Sequence, residues 1–174
     1  KEAGKKVILV NFSGSAMALT PETKSCDAIL QAWYPGEEGG TAIVNVLFGD
    51  YNPAGRLPIT FYKSIDQLPD FENYSMKGRT YRYMQEEPLF PFGYGLSYTT
   101  FAFGKIHINK NSLSAGEKVT LHIPIKNIGD RDGVEVVQIY IQRQADKEGP
   151  VKTLRAFKRV EIPKGKTQEV KIEL

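Results

Sequence analysis

"VTLHIPIKNIGDRDGVEVVQIYI", residues 119–141, changes period once and so sets the architecture of the second half of the chain. Val119, Leu121, Ile123 and Ile125 alternate with Thr120, His122, Pro124 and Lys126. That two-residue period belongs to a strand with one buried face. The stretch "NIGDRDG" then supplies turn chemistry before a second apolar alternation begins. Further along, "LRAFKRVEI" and "TQEVKIEL" repeat the habit on either side of "PKGK". Short alternating strands joined by Gly-, Asp- and Asn-rich turns predict an antiparallel β-sandwich. Only about five strands are visible where such a fold has about seven, so further strands are expected after Leu174. Pro124 has no N–H to give, which predicts that its strand is open on one side there.

Upstream the pattern differs. "KKVILVNF" (5–12) and "CDAILQAW" (26–33) are short apolar runs of the kind buried on both faces in a parallel sheet. Between them "SAMALTPETKS" must cross from one to the other, with a proline that forbids one long helix. Over Glu37–Phe48, Ala42, Ile43, Val46 and Leu47 fall on one helical face. Glu37 and Glu38 are expected in its first turn, where carboxylates suit the positive end of the dipole. Gly49 stands where a left-handed C-terminal cap belongs. "GRLPITF" (55–61) reads as one more strand. The expected class is therefore α/β followed by all-β: the last portion of a parallel α/β sandwich over 1–61, a connector with an aromatic hinge over 62–104, and an incomplete β-sandwich over 105–174. Residues 62–89 are polar and aperiodic, which suits a functional loop or a wrap across a neighbour.

Composition excludes several roles. The net charge is +3, with 9 Lys/Arg against 11 Asp/Glu in residues 1–104 and 14 against 9 in 105–174. The later basic residues are interleaved with acids along strands, unlike a nucleic-acid footprint. No apolar run approaches the roughly 20 residues of a membrane-spanning helix. Cys26 is the single cysteine, and His107 and His122 are the only histidines, too few and too isolated for a zinc site. Neither a metal nor a cofactor is expected. The first residues, "KEAGKKVILV", contain no initiator Met and no hydrophobic leader, and "TQEVKIEL" stops within a strand pattern. The chain reads as part of a longer polypeptide.

Two pairs of adjacent acids, Glu37–Glu38 and Glu86–Glu87, invite comparison with a sugar-cleaving pair. Such carboxyls face each other across a bond, roughly 5–9 Å apart. Neighbours on a helix diverge by about 100°, so dipole complement and solvated charge account for Glu37 and Glu38. No nucleophile elbow, zinc spacing or phosphate loop is present. "GRTYRYM" (78–84) sets Arg79, Tyr81, Arg82 and Tyr83 on the connector. Guanidinium donors and aromatic faces suit a sugar's hydroxyls and C–H face, making Arg79, Tyr81 and Tyr83 candidate substrate-binding residues. The alternative is that they pin the loop, arginine stacking on tyrosine. "FPFGYGLSYTTF" (90–101) brings Phe90, Phe92, Tyr94, Tyr98 and Phe101 together around Gly93 and Gly95. It reads as a plug at a domain boundary, because an exposed sugar platform would leave that apolar area in water.

Taken in order, "AWYPGEEGG", "LFGDYNPAGRLPITF", "GRTYRYM", "PLFPFGYGLSYTTF" and "IKNIGDRDGVEVVQIYI" resemble the C-terminal part of glycoside hydrolase family 3. The resemblance runs from residue 6 to 174. It implies the end of an α/β sandwich domain followed by a fibronectin type III-like domain, within an exo-acting, retaining enzyme that releases terminal β-linked sugars. The family's Asp nucleophile lies on a barrel with no counterpart here. Its Glu acid/base is expected upstream of "KKVILVNF". No catalytic residue is therefore carried over, and the chain by itself is expected to be inactive. "GRTYRYM" before "FPFG" resembles the β-xylosidase branch more than the β-glucosidase branch. The implied partner is a β-linked oligosaccharide, in a periplasmic or secreted protein of a polysaccharide-degrading bacterium. Two other readings stand beside this one: a stand-alone carbohydrate-binding module, and an oligomerisation domain in a homo-oligomer.

Overall fold

The computed structural model describes residues 2–174. They form two compact units. The first takes the chain up to Asp50, then Leu57–Tyr94 and Ala145–Val151; the second takes Tyr51–Arg56, Gly95–Gln144 and Lys152–Leu174.

In the first unit, β1 (Ile8–Asn11) and β2 (Ala28–Gln31) pair in parallel, from Ile8 opposite Ala28 to Asn11 opposite Gln31. The crossover between them carries α1 (Thr20–Ser25). Pro21 sits in its first turn, the one place in a helix where a missing N–H costs nothing. Helix α2 (Gly39–Phe48) ends as expected, with Gly49 at φ 84° donating its N–H to Val46 O. Its start differs from expectation. Glu38 is the capping residue and Glu37 precedes it, so neither acid lies in the first turn. Gly39 opens the helix because it is buried against Pro35, where a Cβ would come within 2.4 Å of the ring.

The third predicted strand of this unit, "GRLPITF", does not form. Pro58 cannot donate to a ladder, and the segment instead pairs irregularly with the loop before Gly95. Leu57 N–H donates to Tyr94 O (2.8 Å), Gly93 N–H to Leu57 O (2.7 Å) and Phe61 N–H to Phe90 O (2.9 Å). Only Phe61 and Phe90 form a β-bridge. Phe61, 1% exposed, is the packing centre here, edge-on to Trp33 and to Phe90 at centroid distances of 6.1 and 6.3 Å. The connector also acquires a 3₁₀ turn (Ile65–Gln67) and a single helical turn, α3 (Thr80–Tyr83).

The second unit is the expected antiparallel sandwich. In one sheet β5 (Thr120–Asn127) lies between β8 (Thr167–Glu173) and the pair β3 (Phe101–Phe103) and β4 (His107–Ile108). In the other, β6 (Gly133–Ile141) pairs with β7 (Thr153–Ile162), with a bulge at Ile139/Tyr140. Leu121, Ile123 and Ile125 of β5 meet Val137, Ile162, Val170 and Ile172 in the core, as the alternation requires. The expectation for Pro124 holds in modified form. Its strand is internal, but Pro124 falls opposite the break between β3 and β4, where Gly104 N–H donates to its carbonyl (2.8 Å). A Cβ on Gly104 would lie 2.8 Å from the Pro124 ring, so the close approach of the two segments requires the glycine. His107 and His122 are cross-strand partners, and His122 Nδ1 lies 3.6 Å from Glu169.

Candidate functional site

The candidate residues of the connector occupy one short stretch and do different things. The Arg79 guanidinium donates to three backbone carbonyls of the preceding loop: Ser75 (3.0 Å), Asp70 (3.3 Å) and Asn73 (2.6 Å). Tyr81 lays its ring on Phe92, centroids 4.3 Å apart and planes 19° from parallel, while its N–H donates to Thr60 Oγ1. Arg82 holds its guanidinium carbon 5.5 Å from the centre of the Tyr83 ring. Its Nε is buried without an acceptor, and its carbonyl accepts from Val151 N–H at 2.6 Å. Thr80, between Arg79 and Tyr81, has φ 58°, a left-handed conformation a β-branched residue resists. Its N–H is held by Tyr62 Oη at 3.0 Å. The backbone is thus strained where the candidate residues lie, which is where function often stores strain.

The loop that Arg79 holds is the feature sequence reasoning missed. Residues 70–79, "DFENYSMKGR", contain two turns, Asn73 N–H to Asp70 O and Arg79 N–H to Met76 O. The Asn73 and Ser75 side chains accept from the Ser75 and Lys77 N–H groups. Out of this braced backbone stand Phe71, 94% exposed, and Tyr74, 91% exposed. The signal was two aromatics interleaved with Asp70, Glu72 and Asn73 in an aperiodic stretch.

The acid pairs are placed apart. Glu37 and Glu38 are exposed before α2. Glu86 accepts from Gln67 Nε2 (3.2 Å), and Glu87 lies 3.9 Å from Lys63 Nζ. Among the described residues, no cluster of three or more His, Cys, Asp or Glu has metal-holding geometry.

The aromatic stretch divides between the units. Phe90 stacks on Tyr94 at 5.3 Å and Phe92 on Tyr81, all in the first. Tyr98 and Phe101 belong to the second, where the quoted sequence blocks converge. Asn52 Oδ1 accepts from Ser97 Oγ and Tyr98 N–H, and its Nδ2 donates to Asp132 O. Thr99 Oγ1 donates to the fully buried Asn127 (2.6 Å). Gly129 and Gly133 crowd against Thr99 so closely that a Cβ on either would come within 2.5 Å of its side chain. Arg56 pairs with Glu135 at 2.8 Å, both 12% exposed. "DYNPAGR", "GLSYTT" and "KNIGDRDGVE" are thus one packing node.

The Glycosyl hydrolase family 3 C-terminal domain matches residues 1–98, and the Fibronectin type III-like domain matches residues 135–174. A xylan 1,4-beta-xylosidase of Xylanibacter ruminicola is 57% identical over 174 residues, covering 100% of this chain and 20% of that protein. A periplasmic beta-glucosidase of Salmonella typhimurium is 40% identical over 98% of this chain and 24% of its own length. Beta-glucosidase 3B of Thermotoga neapolitana superposes with a TM-score of 0.86 at 31% identity, over 99% of this chain and 26% of that one. The chain spans about a fifth to a quarter of the length of these relatives. With more than half of its residues matched by the family's own C-terminal domain, the chain belongs to glycosyl hydrolase family 3.

Proposed function

We propose that this chain is the C-terminal architecture of an exo-acting, retaining β-glycosidase that releases terminal β-linked sugars, with xylosides preferred over glucosides. The observation that carries the preference is the 57% identity to a xylan 1,4-beta-xylosidase along the whole chain, against 40% to a beta-glucosidase. In this reading residues 1–61 complete an α/β sandwich domain, 62–104 connect and end in strand β3 of the sandwich sheet, and 105–174 form the rest of the fibronectin-like domain. The nucleophile and the acid/base are supplied by polypeptide outside this sequence. Arg79, Tyr81 and Tyr83 serve the substrate side, Arg79 by fixing the backbone of the loop before it. The substrate is a β-linked oligosaccharide, met in the periplasm or outside the cell.

The test compares the 174-residue chain with the full-length polypeptide that carries it, on nitrophenyl β-xyloside and β-glucoside. Turnover by the long form alone, with the higher kcat/KM on xyloside and retained anomeric configuration in the product, is expected. Hydrolysis by the 174-residue chain would overturn the division of labour, and faster glucoside cleavage would overturn the preference.

A further inference from the structure

We infer that residues 145–151, in the link between β6 and β7, are a strap that locks the strained turn α3 and so positions the substrate-side residues Arg79, Tyr81 and Tyr83. The strap is argued from contacts within the chain; its effect on substrate rests on the proposed glycosidase function. The turn is a single one, Thr80–Tyr83, with Thr80 at φ 58°. A helix this short does not hold itself in water. A β-branched residue in the left-handed region persists only where its surroundings over-determine it. Three outside groups do so. Tyr62 Oη accepts from Thr80 N–H (3.0 Å), Thr60 Oγ1 accepts from Tyr81 N–H (3.0 Å), and Arg82 O accepts from Val151 N–H (2.6 Å). The last is the shortest of the three and comes from far along the chain.

The strap is built to hold that bond. Residues 145–148 are exposed, while Gly149, Pro150 and Val151 are half-buried. Gly149 N–H donates to Asp146 Oδ1 (2.8 Å), and a Cβ on Gly149 would come within 2.2 Å of Asp146 Oδ2, so the tip closes tightly on a glycine. Pro150 then fixes its own φ and steers Gly149 toward extended backbone. Val151 and Lys152 are neighbours anchored in different units. Val151 binds Arg82 in the first, and in the second Lys152 Nζ lies 4.9 Å from the centre of the Tyr140 ring. One peptide link separates the two anchors, so Val151 cannot move far from Arg82 while Lys152 keeps its place. Val151 is thus a positioning residue that acts through its backbone N–H.

The experiment uses the full-length polypeptide and two readouts. One is hydrogen exchange at the Tyr83 and Met84 amides, which donate to Arg79 O and Thr80 O; the other is KM and kcat on nitrophenyl β-xyloside. Val151→Pro removes the N–H and should speed exchange at those amides about tenfold, the upper end of what one hydrogen bond contributes. KM should rise about threefold or more with kcat unchanged. Val151→Ala keeps the N–H and should match the wild type in both. Lys152→Ala is the milder variant should the proline chain fail to fold: it frees the other anchor and should speed the same exchange about threefold, whereas Lys152→Arg, which keeps a cation over the ring, should not. Wild-type exchange at Tyr83 and Met84 in Lys152→Ala and in a folded Val151→Pro overturns the inference. So does an equal rise at the amides of β1 and β2, which would make the effect a general loss of stability. Faster exchange confined to the turn with KM unmoved sustains the strap and refutes the substrate role of Arg79, Tyr81 and Tyr83. If the wild-type long form cleaves neither xylosides nor glucosides, the glycosidase reading fails on its own, and exchange at Tyr83 and Met84 still decides the strap.

Discussion

Replacing Asn127 with alanine should be among the most damaging single changes in the second unit. Asn127 is 0% exposed, and its amide uses both ends. The oxygen accepts from Thr99 Oγ1 (2.6 Å) and Gly129 N–H (3.2 Å); the nitrogen donates to the carbonyls of Arg131 (2.7 Å) and Ile162 (2.9 Å). Alanine strands all four. The Thr99 hydroxyl and the Ile162 carbonyl are buried, and each costs about 1–3 kcal/mol when left without a partner. The other two sit where water reaches and cost about 0.5–1 kcal/mol each. The loss should total about 3–8 kcal/mol, a large share of the about 5–15 kcal/mol that holds a typical domain. Urea unfolding followed by circular dichroism measures it as a lower midpoint at an unchanged slope. Asn127→Asp sharpens the test. It keeps the acceptor but faces two carbonyls with a carboxylate, so burial and repulsion raise its folded-state pKa above the unfolded value of about 3.9. The destabilisation is therefore full above the raised pKa and recedes as pH falls toward the unfolded one. A loss under about 1 kcal/mol for the alanine variant, or no acid recovery for the aspartate, would refute the reasoning.

Four further outcomes are expected. Thr80→Gly should relieve the strain at φ 58° and raise stability by about 1 kcal/mol, read as a higher Tm, provided the Tyr62 contact persists. Phe61→Ala removes the ring between Trp33 and Phe90 and should cost about 3–5 kcal/mol, with a change in Trp33 fluorescence. Arg56→Met should cost about 3–5 kcal/mol by leaving Glu135 buried and unpaired, whereas Arg56→Met with Glu135→Leu should recover most of it in a double-mutant cycle. The Glu117 carboxyl is held below its usual range, first by the Ser114 N–H and then by Lys110. Its contribution is present at neutral pH and lost as pH falls through the lowered value, so Glu117→Gln should flatten the acid limb of the stability profile.

The strands of the sandwich, the Gly49 helix cap and the family blocks were legible in the residues, because period, capping and turn chemistry are local. Burial of Leu121, Ile123 and Ile125 followed from alternation alone. "GRLPITF" was misread because its apolar content suits a strand, while its actual partner is an irregular loop some thirty residues away. The roles of the blocks were not readable either. Asn52, Thr99 and Asn127 are far apart in sequence and meet in one hydrogen-bonded node, and side-chain hydrogen bonds over such separations have no periodic signature. The same holds for Arg79. Its type and position suggested a sugar ligand, but only the folded backbone brought three loop carbonyls within its reach and left Phe71 and Tyr74 standing in solvent. Local sequence determined which elements exist. Tertiary contact decided which polar groups each conserves for packing and which rings it presents, because both depend on distances that no single segment contains.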